Sequence, residues 1–212
     1  AESRGVASSS EVTEGEDASP LPADPTRECD IHHKKLLPLL RKMWVACDML
    51  ELGTEARFTS LVLLHRYYAA ETTKNIETLR WKSIGAACLV LGCKMEETSR
   101  RLRDIINAAH MLDFSLDPIS NNVIRMHAEP PELKDAYWKS KEDLVSTEQT
   151  VLRVLKFDVH VSHPHRLVSL LIEESFKSNE QEVALAAVQT AWRYLNEAAF
   201  SPTALRHATP EL

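Results

Sequence analysis

Ten consecutive residues, Ile84-Gly85-Ala86-Ala87-Cys88-Leu89-Val90-Leu91-Gly92-Cys93, carry no charge. Wound as a helix, this run is apolar on every side, and such a helix has to be enclosed by other elements. Its small residues let those neighbours approach closely. The run is far short of the roughly 20 residues that cross a bilayer, so it reads as the middle of a core. What encloses it must also be helical. Only five glycines occur in 212 residues, and Gly5 and Gly15 sit in the polar first thirty, leaving Gly53, Gly85 and Gly92. A chain so poor in glycine has few tight hairpins and no loop to cradle a phosphate. An all-α fold is expected.

The apolar periodicity supplies the enclosing helices. The first is expected over 33–52, with Pro38 near its start, Gly53 as its C-terminal stop and Thr54 capping the next. The second, over 55–71, repeats Phe58, Leu61, Val62, His65 and Tyr68 on one face. The third spans 78–95 and contains the enclosed run. Ser99 is the expected cap of a fourth, with Leu102, Ile105, Ile106 and Ala109 as its buried stripe. A long loop over 112–131 leads to a fifth over 132–155. The alternating segment Phe157-Asp158-Val159-His160-Val161 is an extended connection. Ser162-His163-Pro164 opens a sixth helix to 176, and a seventh covers 180–199. Leu64-His65-Arg66-Tyr67-Tyr68 and Ala191-Trp192-Arg193-Tyr194-Leu195 are weakly alike, as if helix seven were a second copy of helix two.

Charge is unevenly placed. The net charge is −6, and residues 1–30, with eight acids and two bases, carry all of it. This tail is rich in Ser, Glu, Asp and Pro and is expected to be disordered. The neutral remainder offers no global footprint for nucleic acid or an anionic membrane. Cys29, Cys47, Cys88 and Cys93 follow no disulfide spacing and read as reduced thiols of an intracellular protein. No signal peptide is recognisable. A chain opening on Ala1 is expected to be a fragment or a processed product.

Catalytic and cofactor motifs are absent: no nucleophile elbow, Walker loop, dinucleotide fingerprint, zinc-protease or EF-hand motif. Neither His32-His33 nor His163-Pro164-His165 places two imidazoles on one helical face near a third ligand. No metal and no cofactor is expected. The run Arg100-Arg101-Leu102-Arg103 puts cations where a helix dipole disfavours them. It reads as a solvated face paired with Glu96 and Glu97, with a phosphate or acidic-partner patch as the other reading. Trp44, Trp81, Trp138 and Trp192 fall in four different helices and read as core and edge packing.

Two charges are out of place. Glu148 lies inside the apolar stripe Leu144, Val151, Leu152 and Leu155. Lys94 lies on the face of Ala87, Val90 and Leu91. Each is costly alone on an apolar face and tolerable as a pair. Pattern alone balances a functional pair against a snorkelling Lys94 with a half-exposed Glu148.

These residues resemble the cyclins. Leu91-Gly92-Cys93-Lys94-Met95-Glu96-Glu97 is similar to that family's small-Lys-x-Glu-Glu signature, and residues 148–158 are similar to its fifth helix and exit. The closer resemblance is to the transcription-type cyclins K, T, L and Q, through Arg103-Asp104-Ile105-Ile106-Asn107 and residues 157–165. The resemblance implies a cyclin box, a five-helix bundle around a buried central helix, over 31–158. A partial second cyclin-type helical domain follows over 159–212, cut after two helices. It also implies a non-catalytic regulatory subunit of a nuclear cyclin-dependent kinase of the transcriptional branch, acting on RNA polymerase II. Lys94, Glu148 and Glu97 would bind the kinase. Helix one reads Lys35-Leu36-Leu37-Pro38-Leu39-Leu40, without the family's Met-Arg-Ala-Ile-Leu substrate-docking motif. Two other classes stay open: a DNA-binding cyclin-fold general transcription factor, which the neutral body opposes, and a helical scaffold without a kinase partner.

Overall fold

The computed structural model describes residues 25–70, 81–112, 135–176 and 181–201, with side chains from residue 36 in the first segment and residue 82 in the second. The acidic stretch 1–24, the loop 113–131, the expected helix starts at 78 and 132, and the tail 202–212 lie outside the described residues. So do the side chains of Cys29, His32, His33 and Trp81.

Among the described residues there are seven helices and no strand: α1 Pro25–Met49, α2 Thr54–Ala70, α3 Trp81–Met95, α4 Leu102–Leu112, α5 Asp135–Val154, α6 Pro164–Ser175 and α7 Gln181–Ala198. α3 is the hub. It packs against α1, α2, α4 and α5, most extensively against α2, and every residue from 84 to 93 is buried. Leu39, Leu40 and Met43 of α1, Leu61, Leu63 and Leu64 of α2, Ile105 and Leu112 of α4, and Val151 of α5 close round it. Close approach to α2 explains Gly92. A Cβ there would stand 2.9 Å from the Ala56 carbonyl oxygen and 3.0 Å from the Ser60 amide nitrogen, and would overlap the Ser60 hydroxyl.

Helix ends depart from the sequence reading. α1 begins at Pro25 rather than at 33. Proline suits a helix's first turn because its fixed φ is already helical and its missing N–H would be unpaired there in any case. α1 stops not at Gly53 but through Glu51, which takes φ 51, while the Leu52 amide reaches back to the Cys47 carbonyl at 2.9 Å. The left-handed residue is thus Glu51, and buried Leu52 supplies the hydrophobic contact that accompanies such an end. Arg100 holds it there, donating to the carbonyls of Leu50 (2.7 Å) and Glu51 (3.0 Å). α4 starts at Leu102, and the Arg101 carbonyl, not Ser99, precedes its first turn, accepting from the amides of Asp104 and Ile105.

α6 and α7 pack against each other and meet the bundle at two places. At one, His163 and His165 lie beside Phe58 of α2. At the other, the end of α7 rests on α1 and α2: His65 Nε2 lies 3.1 Å from the Ala199 carbonyl oxygen, and Phe200 packs on Trp44 at 5.3 Å. His163 and Pro164 occupy the N-cap and first position of α6 as the sequence indicates. α7 buries no residue, and Leu167, Leu170, Leu171, Val183 and Leu185 stay exposed.

Candidate partner-binding site

The two misplaced charges meet. Lys94 stands in the last turn of α3, where a cation complements the helix C-terminus. Glu148 lies on α5 between Leu144 and Val151, and all three are buried. The Lys94 Nζ donates to Glu148 Oε1 at 2.5 Å. The pair is lopsided: the Lys94 side chain is 60% exposed and that of Glu148 only 11%. The carboxylate is therefore fixed in the wall of the bundle and steers an ammonium that faces outward. Neither of the two sequence readings is met whole, since Lys94 reaches solvent while Glu148 is buried.

Beyond Lys94 the chain turns sharply. The Glu96 amide still reaches the Gly92 carbonyl at 3.1 Å, Glu97 adopts φ 52, and Met95 and Glu97 are exposed. Lys94, Met95 and Glu97 thus share one short projecting end, with the buried carboxylate of Glu148 behind it.

Glu96 and the arginines behave differently from expectation. Glu96 turns inward, where its Oε1 accepts from Thr59 Oγ1 at 2.6 Å and lies 3.0 Å from His163 Nε2. Arg100 caps α1 instead of pairing with Glu96. Sequence reasoning weighed His163 as a helix start and as a metal ligand, yet its ring serves as a partner for a carboxylate. Among the described residues no cluster of three or more His, Cys, Asp or Glu could hold a metal ion, and no helix is long and apolar enough to cross a membrane. Of the tryptophans, Trp44 lies under Arg57 at 4.4 Å, and Trp192 donates to Ser169 Oγ at 3.1 Å. Trp138 is 54% exposed with Lys141 over its ring, so it is surface rather than packing.

Buried thiols line the same helices. Burial pushes Cys47 up to about 12 and Cys93 to about 11, and raises Cys88 further still. All three are free.

Comparison with known proteins gives a consistent picture. Residues 10–160, well over half of the chain, match the family model described as cyclin, N-terminal domain. The chain is 32% identical over 151 residues to Cyclin-L1 of Xenopus laevis, covering 70% of this chain and 27% of that protein. It is 31% identical over 149 residues to Cyclin-L2 of Mus musculus and to Cyclin-L1 of Homo sapiens, covering 70% of this chain and 26% of each. The chain spans about a quarter of the length of the curated relatives it matches.

Proposed function

We propose, from the premise that this chain belongs to the cyclin family, that it is the non-catalytic activating subunit of a nuclear cyclin-dependent kinase. The observation that carries this reading is the Lys94–Glu148 pair, an outward ammonium seated on a buried carboxylate. An ammonium has three N–H donors, and Glu148 engages one. The other two meet no acceptor among the described residues and can bond carbonyl oxygens at the C-terminal end of a partner helix, where the helix dipole favours a cation. The second oxygen of Glu148 has no donor among the described residues and can accept from a partner amide. Exposed Met95 provides apolar contact that excludes water around the pair, and Glu97 adds a carboxylate at the rim.

Such a surface would activate a kinase without touching substrate. It binds the position of the kinase's mobile helix in which the kinase's own Lys–Glu pair forms, and so shifts the population toward that state. The resemblance of residues 103–107 and 157–165 to the transcription-type cyclins puts this kinase in the transcriptional branch, with RNA polymerase II as the substrate system, and makes residues 159–212 the start of a second cyclin-type unit.

Affinity for purified cyclin-dependent kinases tests this. Lys94→Ala should weaken binding by about 2–4 kcal/mol, because it leaves Glu148 buried and unpaired. Glu148→Ala should do likewise, and the double variant should lose less than the sum. Unchanged or strictly additive affinities would remove the pair from the mechanism. Salt-dependent duplex DNA binding in place of kinase binding would favour a transcription factor instead.

A further inference from the structure

The geometry points to His163 as a positioning residue for the Lys94 surface: we propose that the junction Thr59–Glu96–His163 couples the α6–α7 pair to the turn that carries Lys94 and Glu97. The coupling rests on the reading of that turn as the kinase-binding surface.

The junction joins three elements at one oxygen. Glu96 Oε1, at the end of α3, accepts from Thr59 Oγ1 of α2 at 2.6 Å and lies 3.0 Å from Nε2 of His163 at the N-cap of α6. Thr59 is fully buried, and the side chains of His163 and Glu96 are only 15% and 18% exposed. The favoured N-cap residues, Ser, Thr, Asp and Asn, turn a side-chain oxygen onto their own helix. His163 makes no such bond. Its ring points away toward Glu96 and packs beside Phe58 at 5.9 Å. Its Nδ1 is buried without a partner among the described residues, so its one polar engagement there is with Glu96 and the neighbouring Thr59 hydroxyl.

The turn it holds is one that backbone preference does not hold. Glu97 sits at φ 52, a region that disfavours a residue with a Cβ. The closing bond from the Glu97 amide to the Lys94 carbonyl is long, at 3.4 Å. Side-chain contacts therefore fix this end of α3 from two sides, Lys94 on Glu148 and, two residues on, Glu96 on Thr59 and His163. The second tie runs to α6, so the seating of α6–α7 sets the orientation of the turn. By linkage, a partner bound at the turn must in return tighten the seating of α6.

Hydrogen exchange and kinase affinity, both on the full 212-residue chain, decide this. His163→Ala should speed exchange of the amides over 95–99 by about tenfold in the free chain and lower kinase affinity by about three- to tenfold, with Lys94 and Glu148 untouched. His163→Gln, whose amide N–H can stand where Nε2–H stands, should restore both. Thr59→Val keeps the side-chain shape, removes the other donor and should speed exchange over the same amides. Unchanged exchange in His163→Ala and Thr59→Val would overturn the junction. Faster exchange with unaltered affinity, where Lys94→Ala does weaken binding, overturns the coupling and leaves the kinase-binding reading standing. Unaltered affinity in both His163→Ala and Lys94→Ala overturns the two together.

Discussion

At Gly92 a single hydrogen atom decides how near α3 lies to α2. The Ser60 hydroxyl that faces it is held on the Ala56 carbonyl at 2.7 Å and cannot swing away freely. Gly92→Ala should destabilise the fold by about 1–3 kcal/mol, as overpacking does, read as a lower urea midpoint with an unchanged slope. Adding Ser60→Ala should recover part of the loss, since the Ala56 carbonyl still crowds the new methyl. This close approach was legible in the small residues of the 84–93 run. So was the Lys94–Glu148 pair, because each charge breaks an apolar stripe. The Thr59–Glu96–His163 junction was not legible: its members are 37 and 67 residues apart, and each looks ordinary among its neighbours. A second residue-scale expectation concerns the thiols. Buried groups raised this far hold almost no thiolate near neutral pH, so Cys47, Cys88 and Cys93 should resist a thiol reagent in the native state and react on unfolding. Fast labelling of the folded chain at any of the three would contradict their burial.

Among the elements, helix existence was written in periodicity and helix ends were not. α2 and α3 follow from their apolar patterns, whereas the stop of α1 at Glu51 depends on Arg100, about fifty residues further on, donating to two of its terminal carbonyls. No local signal at Gly53 could reveal that. The seam between α2, α6 and α7 carries a titratable group of its own. His165 is wedged edge-on between Phe58 and Trp192, with Nε2 3.4 Å from Asn196 Oδ1. Burial, chiefly, and then the nearby His163 pull it below its ordinary 6.5, against the opposing pull of Asn196 and Glu55. A folded value below the unfolded one means that the unfolded chain takes up the proton first. The stabilisation is then fully present above 6.5 and is lost as pH falls through that value toward the folded one. Trp192 emission should report loosening of α6–α7 as pH falls below 6.5, and His165→Phe should flatten that dependence. A flat profile in the unsubstituted chain would exclude His165 as its source.

Across the whole molecule, stability should be graded. α3 is wrapped by four helices, while α7 buries nothing. Amides of α3 should exchange only through global unfolding, and those of α6 and α7 through openings of lower free energy. Equal protection of both would show one cooperative unit. Leu167, Leu170, Leu171, Val183, Leu185 and Tyr194 are all more than half exposed, and this has a consequence for the chain as a solute. Shielding oily surface from water is driven by entropy near room temperature, so it strengthens on warming, and sulfate reinforces it. A concentrated preparation should therefore cloud as it is warmed and clear as it is cooled, with a threshold that drops when sulfate replaces chloride. Charged replacements at Leu170 and Leu185 should raise that threshold while leaving the bundle around α3 intact.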